Sequence, residues 1–308
     1  MPTPSLLLVA LLAPPAAAYE TDQLSQRSHQ LADAAVVANP LMDEALDRAV
    51  DATNQITGCG ADLLRTRRVL AREIHRETAS AARIPDRRIF SSFGHSVYTA
   101  ALEMGPADRV ESGAAPYLYG KVQVSDAWAL ALAGASPTVR IGDVRLGTDK
   151  LFHFLDEGYV YFRQSEEGVT PELAIAWGTR AERTLFGMWT SGAFSYADLR
   201  ANWDGFRFYS GLLTEESVVH QTERGCVVRD GRWEWRDWVD DEYDELLNPS
   251  VYTAPVQAAV ARQLVEHREE ICSEVGADRP QSLEHPAYAG ASSPTRVDPF
   301  LLDSLCAG

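Results

Sequence analysis

Apolar side chains recur at helical spacing through most of the first hundred residues, and they predict four helices. The first spans Thr21 to Val37. The second is capped by Asn39, with Pro40 at its first position, and ends near Gly58. The third runs from Ala61 to Ala82 with Leu63, Leu64, Leu70 and Ile74 on one face, stopping before Pro85. The fourth runs from Phe90 to Met104, after which Gly105 to Gly120, rich in Gly, Pro and Ala, reads as a long loop. Ser125 to Leu132 is predicted helical. Alternation around Gly142-Asp143 predicts a hairpin over 139–146, and alternation around Asp230-Gly231 predicts another over 226–235. A last amphipathic helix covers Ala254 to Val275, closed by Gly276 and followed by a Pro-rich remainder. Two isolated hairpins on a helical body give a mainly α fold: one compact helical domain over 19–276 and an irregular tail over 277–308.

Three helices in the middle of the chain carry polar residues in unusual places. In the helix capped by Thr148, one arc holds Leu151, Phe152, Phe154, Leu155, Tyr159 and Phe162 around Gly158; the other holds Asp149, Lys150, His153, Asp156 and Glu157. The plain reading of the second arc is a solvated face. Asp149, His153 and Glu157 are nevertheless spaced so that a carboxylate approaches the imidazole from either side. In the next helix, capped by Thr170 with Pro171 at its first position and ending near Gly187, Glu182 lies inside an arc of Leu173, Ile175, Trp177, Leu185, Phe186 and Met188. A core-facing Glu needs a partner or a raised pKa. In the third, Asp198 and Asn202 project from the arc of Leu199, Ala201, Gly205, Phe206, Phe208 and Tyr209, while Arg200, Asp204 and Arg207 share another. Ser195 and Asp198 also fit a capping box, which would occupy Asp198 but not Asn202. Short connections let the three helices meet, so these groups form either a satisfied network or a site.

Elsewhere the polar signals are weaker. Glu73, His75 and Glu77 alternate on the third helix and point apart, so His75 reads as surface. His95, beside Gly94, fits core or site equally. The run Asp240 to Glu245 lacks the glycine and spacing of a calcium loop and reads as a solvated face.

Met1 to Ala18 carries no charge and has an apolar run, Leu6 to Ala13, before Ala16-Ala17-Ala18, which predicts a secretory signal peptide over 1–18. The expected location is periplasmic or extracellular, with no transmembrane segment after signal removal. Of 308 residues, 44 are acidic and 28 basic, a net charge of −16 that disfavours nucleic acid and anionic membrane surfaces as partners. Cys59, Cys226, Cys272 and Cys306 permit two disulfides in an exported chain. The preferred pairing joins Cys272 to Cys306, which would hold the tail, and leaves Cys59 with Cys226.

The block Asp149-Lys150-Leu151-Phe152-His153-Phe154 resembles the Asp-Lys-x-x-His-Phe signature of VanZ-like and YfiM-like bacterial envelope proteins. The likeness covers that helix alone, and VanZ-like proteins span membranes. With the Tyr19 to Gln23 start and the Ser195 to Tyr209 block, Gly147 to Phe154 also resembles a group of exported proteobacterial proteins without an assigned activity. That resemblance implies an envelope location and no particular chemistry.

No nucleophile elbow, Walker loop, zinc-protease motif or dinucleotide fingerprint is present, so the sequence leaves any cofactor unknown. The favoured expectation is a non-catalytic binding or structural protein of the envelope, with a cell-envelope component or protein as partner. The alternative is an envelope hydrolase acting on peptidoglycan-type glycan. Glu182 would be its general acid and Asp198 or Asp149 the ionised partner, with His153 and Asn202 orienting substrate or water. In a variant of that reading His153, Glu182 and Asp198 are metal ligands.

Overall fold

A computed structural model describes residues 20–22, 24, 26–78, 97–111, 113, 117–184, 187–275, 288 and 305–306. The signal peptide, His95 and almost all of the 277–308 tail lie outside these residues. The fold is mainly α, with three small antiparallel strand pairs.

Helix α1 spans Ala35–Thr57 and buries Ala38, Met42, Leu46 and Ala49, a stripe at helical spacing. The expected second helix therefore begins earlier, at Ala35, and Pro40 lies inside it. Asn39 is not a cap, because its side-chain oxygen accepts the Trp235 backbone N–H at 3.1 Å. The expected Thr21 to Val37 helix is not formed: the described residues before Ala35 are not helical. Thr21 and Asp33 pair with Ser136 and Arg140, and the Ala34 N–H bonds the Arg140 carbonyl at 2.7 Å, so the segment uses its backbone groups on its neighbour.

Helix α2, Leu63–Thr78, packs on α1 through Leu70 and Ile74, but Leu63 and Leu64 stay exposed. His75 is not a free surface group: it bonds Asp156 at 2.7 Å and stacks on Tyr159, with ring centroids 4.2 Å apart. Helix α3, Val97–Met104, and α4, Trp128–Ala133, follow. Strands β1, Thr138–Ile141, and β2, Val144–Gly147, make the expected first hairpin around Gly142, whose φ of 59° suits glycine.

The hairpin leads into one continuous rod. Helix α5, Thr148–Phe152, passes through a π-helical turn, His153–Glu157, into α6, Gly158–Glu166. Helix α7, Pro171–Arg183, ends before the expected Gly187, and its Leu173 and Trp177 face solvent instead of the core. Helix α8, Tyr196–Ser210, crosses the rod where two glycines meet: a Cβ on Gly158 would lie 2.6 Å from the Gly205 Cα, and one on Gly205 would collide with the Phe154 carbonyl. This close approach puts Glu157 and Asn202 face to face.

The second hairpin differs from expectation. Strand β5, Val227–Arg229, pairs with β4, Val219–Gln221, and not with 232–235. The Trp233 and Trp235 N–H groups are taken by Asp43 and Asn39 of α1, and both indoles are buried among aromatic rings. Strand β3, Ala193–Phe194, pairs with β6, Val251–Tyr252. The last expected helix breaks at His267 into α9, Ala254–Glu266, and α10, Arg268–Val275. Disulfides join Cys59 to Cys226 and Cys272 to Cys306, with Cα atoms 4.3 and 5.5 Å apart, as expected.

The described apolar residues form a main cluster around α1, α2, the rod and α8, a second around α4 and α9, a third at Phe194, Tyr196 and Leu199, and a fourth at Tyr161, Ala174 and Ile175. Leu151 belongs to the first, Leu246 to the second and Leu199 to the third. Their chain neighbours Lys150, Glu245 and Asp198 therefore sit where the clusters meet.

Gly205→Ala should cost at least ~1–3 kcal/mol in chemical denaturation, because neither backbone can yield without moving a helix. Glu44→Ala, on the exposed face of α1, should stay within about 0.5 kcal/mol of wild type.

Candidate functional site

The centre of the molecule is a lysine with no solvent contact: Lys150 is 0 % exposed. Its Nζ donates to Asp149 Oδ2 at 2.8 Å, Asp198 Oδ1 at 2.5 Å and Glu245 Oε1 at 2.7 Å, using all three protons. The carboxylates come from α5, α8 and the segment after the short helical turn Asp241–Tyr243. The other Asp149 oxygen accepts from Thr21 Oγ1 at 3.0 Å and Ser136 Oγ at 2.8 Å. A side chain at Gly147 would collide with this group, which accounts for the glycine before the helix.

Asp198 links this centre to a second one. Its Oδ2 lies 3.2 Å from His153 Nε2, while His153 Nδ1 lies 3.1 Å from Asn202 Oδ1. The Asn202 amide nitrogen donates to Glu157 Oε2 at 2.8 Å, and an ionised carboxylate can only accept, so the amide oxygen must face the ring. Both imidazole nitrogens then face acceptors, the arrangement of a doubly protonated ring. Burial opposes that charge, but Asp198 and then Glu157 outweigh it and hold the His153 pKa well above its ordinary value. Glu182 completes the group: one ligand atom each from His153, Glu157 and Glu182 lies within 4.8 Å of the others, and all three residues are buried.

No family model matches the chain, and no curated protein or solved structure matches it.

Expectation and structure agree on the main point: Glu182, Asp198, His153 and Asn202, from three successive helices, do converge. The solvated reading of the Asp149, Lys150, His153 and Glu157 arc is overturned, since all four are buried. The two-sided approach to His153 is half right: Glu157 lies on one side, but Asp198 takes the place expected for Asp149, which turns to Lys150. Asp198 does not reach back as a cap. Ser195 Oγ accepts the Asp198 N–H at 3.1 Å, leaving the carboxylate free for Lys150 and His153. The Asp240 to Glu245 run is not a solvated face either: Asp244 pairs with Arg27, and Asp240 and Glu242 pair with Arg200. Sequence reasoning missed Glu245 and Glu20. Their signal was faint, an acid beside Leu246 and another close behind the expected cleavage point.

Six carboxylates (Glu20, Asp149, Glu157, Glu182, Asp198 and Glu245) thus share a buried region with two cations, Lys150 and His153. The distribution of donors decides which of them stay charged. Asp149, with three hydrogen-bond contacts, has its pKa lowered: burial opposes this, but Lys150 and His153 prevail. Glu182 accepts no hydrogen bond among the described residues, and burial, then Asp198, pushes its pKa well up. Glu20 keeps only Ser191 at 2.7 Å, its other oxygen is unpartnered, and burial, then Glu245, raises it. Glu245 has Lys150 and Ser195 on one oxygen and nothing on the other, and burial pushes it to about 7.

A carboxyl whose pKa is raised in the fold binds its proton more tightly folded than unfolded, so stability falls as pH rises between the two values. For Glu245 the window runs from 4.5 to about 7, with a fall on the order of 3 kcal/mol. Glu20 and Glu182 have the same sign, and so does the His153 imidazolium, whose contribution is lost from 6.5 upward. Asp149 has the opposite sign, its contribution being lost as pH falls below 3.8. Thermal unfolding in EDTA should therefore show a stability maximum near pH ~5 and a decline by pH ~8. A maximum at pH ~8 would show that these acids are ionised in the fold.

Lys150→Met should cost roughly 3–5 kcal/mol at pH ~7.5, by stranding three carboxylates. The cost should shrink at pH ~5, where Glu245 can take up a proton. An equal loss at both pH values would mean that packing, not charge, is what the lysine supplies.

Proposed function

We propose that this chain is an exported cell-envelope protein whose role is binding or structural, with its buried polar groups serving to hold the helices together. The observation that carries this reading is Lys150: three carboxylates from separate segments saturate it away from water, leaving it no proton to offer a substrate. The predicted leader, the two disulfides and the absence among the described residues of any helix long and apolar enough to cross a membrane are compatible with export. Resemblance of the Gly147 to Phe154 and Ser195 to Tyr209 blocks to exported envelope proteins supports the same location. A partner has an apolar surface to meet on and beyond α7, where Leu173, Trp177 and Trp189 are exposed.

The hydrolase reading keeps one observation in its favour. Glu182, its pKa pushed up by burial, shares a cluster with His153, which is paired with Asp198; a raised acid near a second carboxylate is the pattern of glycan cleavage. It requires a substrate to reach groups that are nearly closed to water.

The two readings separate on peptidoglycan sacculi incubated with the purified mature protein, with and without chelator, alongside Glu182→Gln. The binding or structural reading expects no soluble muropeptides in any arm. Fragments released by wild type and lost in Glu182→Gln would establish the hydrolase instead.

A further inference from the structure

His153, Glu157 and Glu182 have the donor chemistry of a metal site, and they sit on elements that fix them. His153 and Glu157 begin and end the π-helical turn, and Glu182 comes from the last turn of α7. A π turn inside an α-helix commonly marks a functional position, because it carries a strain that plain packing does not require. Here it lies between α5 and α6, at the point where α8 supplies Asn202.

The distances suit an ion. His153 Nδ1 is 3.1 Å from Asn202 Oδ1 and 3.7 Å from Glu157 Oε2, and Glu182 brings an oxygen within 4.8 Å of the His153 and Glu157 donors. Metal–ligand bonds of about 2.0–2.2 Å put tetrahedral ligands roughly 3.3–3.6 Å apart, so the loosest pair has to close by ~1 Å. The other ring nitrogen is already held by Asp198, and a carboxylate on the far nitrogen is how metal-bound imidazoles are oriented. Lys150 in turn fixes Asp198.

A second observation comes from outside the three donors. The Tyr161 hydroxyl, on α6, is buried and makes no hydrogen bond of good geometry; the Asn202 side chain and the charges of Glu157 and Glu182 bear on it. Pressed against Gly178, where any side chain would collide with it, this hydroxyl stands beside the cluster poorly satisfied. Gly187 likewise leaves room for the Glu182 carboxylate, one of whose oxygens would lie 2.8 Å from a Cβ at that position. A poorly satisfied hydroxyl and a carboxylate that accepts no hydrogen bond among the described residues, both beside two more ligands, fit a coordination site in which no ion is counted.

We propose that His153 Nδ1, Glu157 and Glu182, with Asn202 Oδ1 beside them, bind a divalent first-row transition ion of the zinc or manganese class. One imidazole nitrogen among oxygen donors favours these ions over calcium or magnesium, which prefer oxygen ligands alone. On binding, the ion takes the place of the Nδ1 proton, which is released to solvent. Its two positive charges offset the carboxylate excess around Lys150 and His153. Asp198 is a positioning residue, acting through the His153 ring. The site goes beyond the binding or structural reading: that reading stands without an ion, and the ion adds a fastening between the rod and α7.

The test is a calorimetric titration of tag-free mature protein, stripped with EDTA and desalted, using Zn2+, Mn2+, Ca2+ and Mg2+ in separate arms, with a thermal scan of each mixture. Wild type should take up one equivalent of Zn2+ or Mn2+ more tightly than Ca2+ or Mg2+, and its Tm should rise. Glu182→Gln and His153→Gln should each weaken binding by at least ~10-fold. In EDTA, Glu182→Gln should melt at or above the wild-type temperature, since it removes a buried acid without a donor. With Zn2+ the order should reverse. That reversal also shows that the variant folds. No stoichiometric uptake by wild type, wild-type affinity in both variants, or preference for Ca2+ or Mg2+ would overturn the proposal. None of these results depends on glycan, so a failure here and a failure on sacculi are separate outcomes.

Discussion

The structure depends on the burial of one ammonium group among three carboxylates. Removing a lysine from water is costly, and the mutual attraction of such groups offsets that only when geometry and further hydrogen bonds are good. Lys150 meets the condition by drawing Asp149, Asp198 and Glu245 to within 2.8 Å, and those residues belong to the rod, to α8 and to the segment beyond Tyr243. Apolar packing tolerates sliding, but three simultaneous ion pairs on one nitrogen do not. The network therefore fixes how the rod, α8 and the 240s segment are registered, and the apolar clusters fill in around it.

Much of this was legible in the sequence because the misplaced groups were conspicuous. A glutamate among Ile175 and its apolar neighbours, and an asparagine and aspartate projecting among aromatic residues, could not be ordinary surface. They converge as their spacing implied. The main helices, the first hairpin and both disulfides were equally readable, from periodicity, a two-residue turn and the need to hold a tail. The glycines at 158 and 205 fell on the apolar arcs of their helices, and there they let two backbones touch.

What was not legible has a common cause. A helical wheel assumes that a helix has one wet side, whereas the rod from Thr148 to Glu166 is covered on both: its polar arc faces α8 and the Lys150 centre. The same assumption hid Glu245 within a run of acids. Single-sequence turn chemistry failed at Asp230-Gly231 for a related reason. The N–H groups of Trp233 and Trp235, which a hairpin would have used, were claimed by Asp43 and Asn39 from a helix nearly two hundred residues away. Pro40 misled in the same way, since a proline that often opens a helix is here carried inside one. In each case a distant partner overrode a local signal.

The placement of donors explains why one region holds so many acids without tearing itself apart. Asp149, supplied by two hydroxyls and an ammonium, has its pKa lowered, whereas Glu182, which accepts no hydrogen bond among the described residues, has its pKa pushed up by burial. Had hydroxyls been spread evenly, all six carboxylates would have competed for two cations and like-charge repulsion would have opened the core. Instead Thr21 and Ser136 are concentrated on the acid that faces Lys150, and Ser191 and Ser195 give Glu20 and Glu245 one contact each. The two ends of the cluster therefore answer different needs. The Lys150 end has all three ammonium protons placed, although Glu245 keeps one oxygen without a partner. At the His153 end the ring is held charged by Asp198 and Glu157, and Glu182 beside it accepts no hydrogen bond among the described residues. Donors thus gather on Asp149, and the carboxyls with fewer of them are the ones whose pKa burial raises.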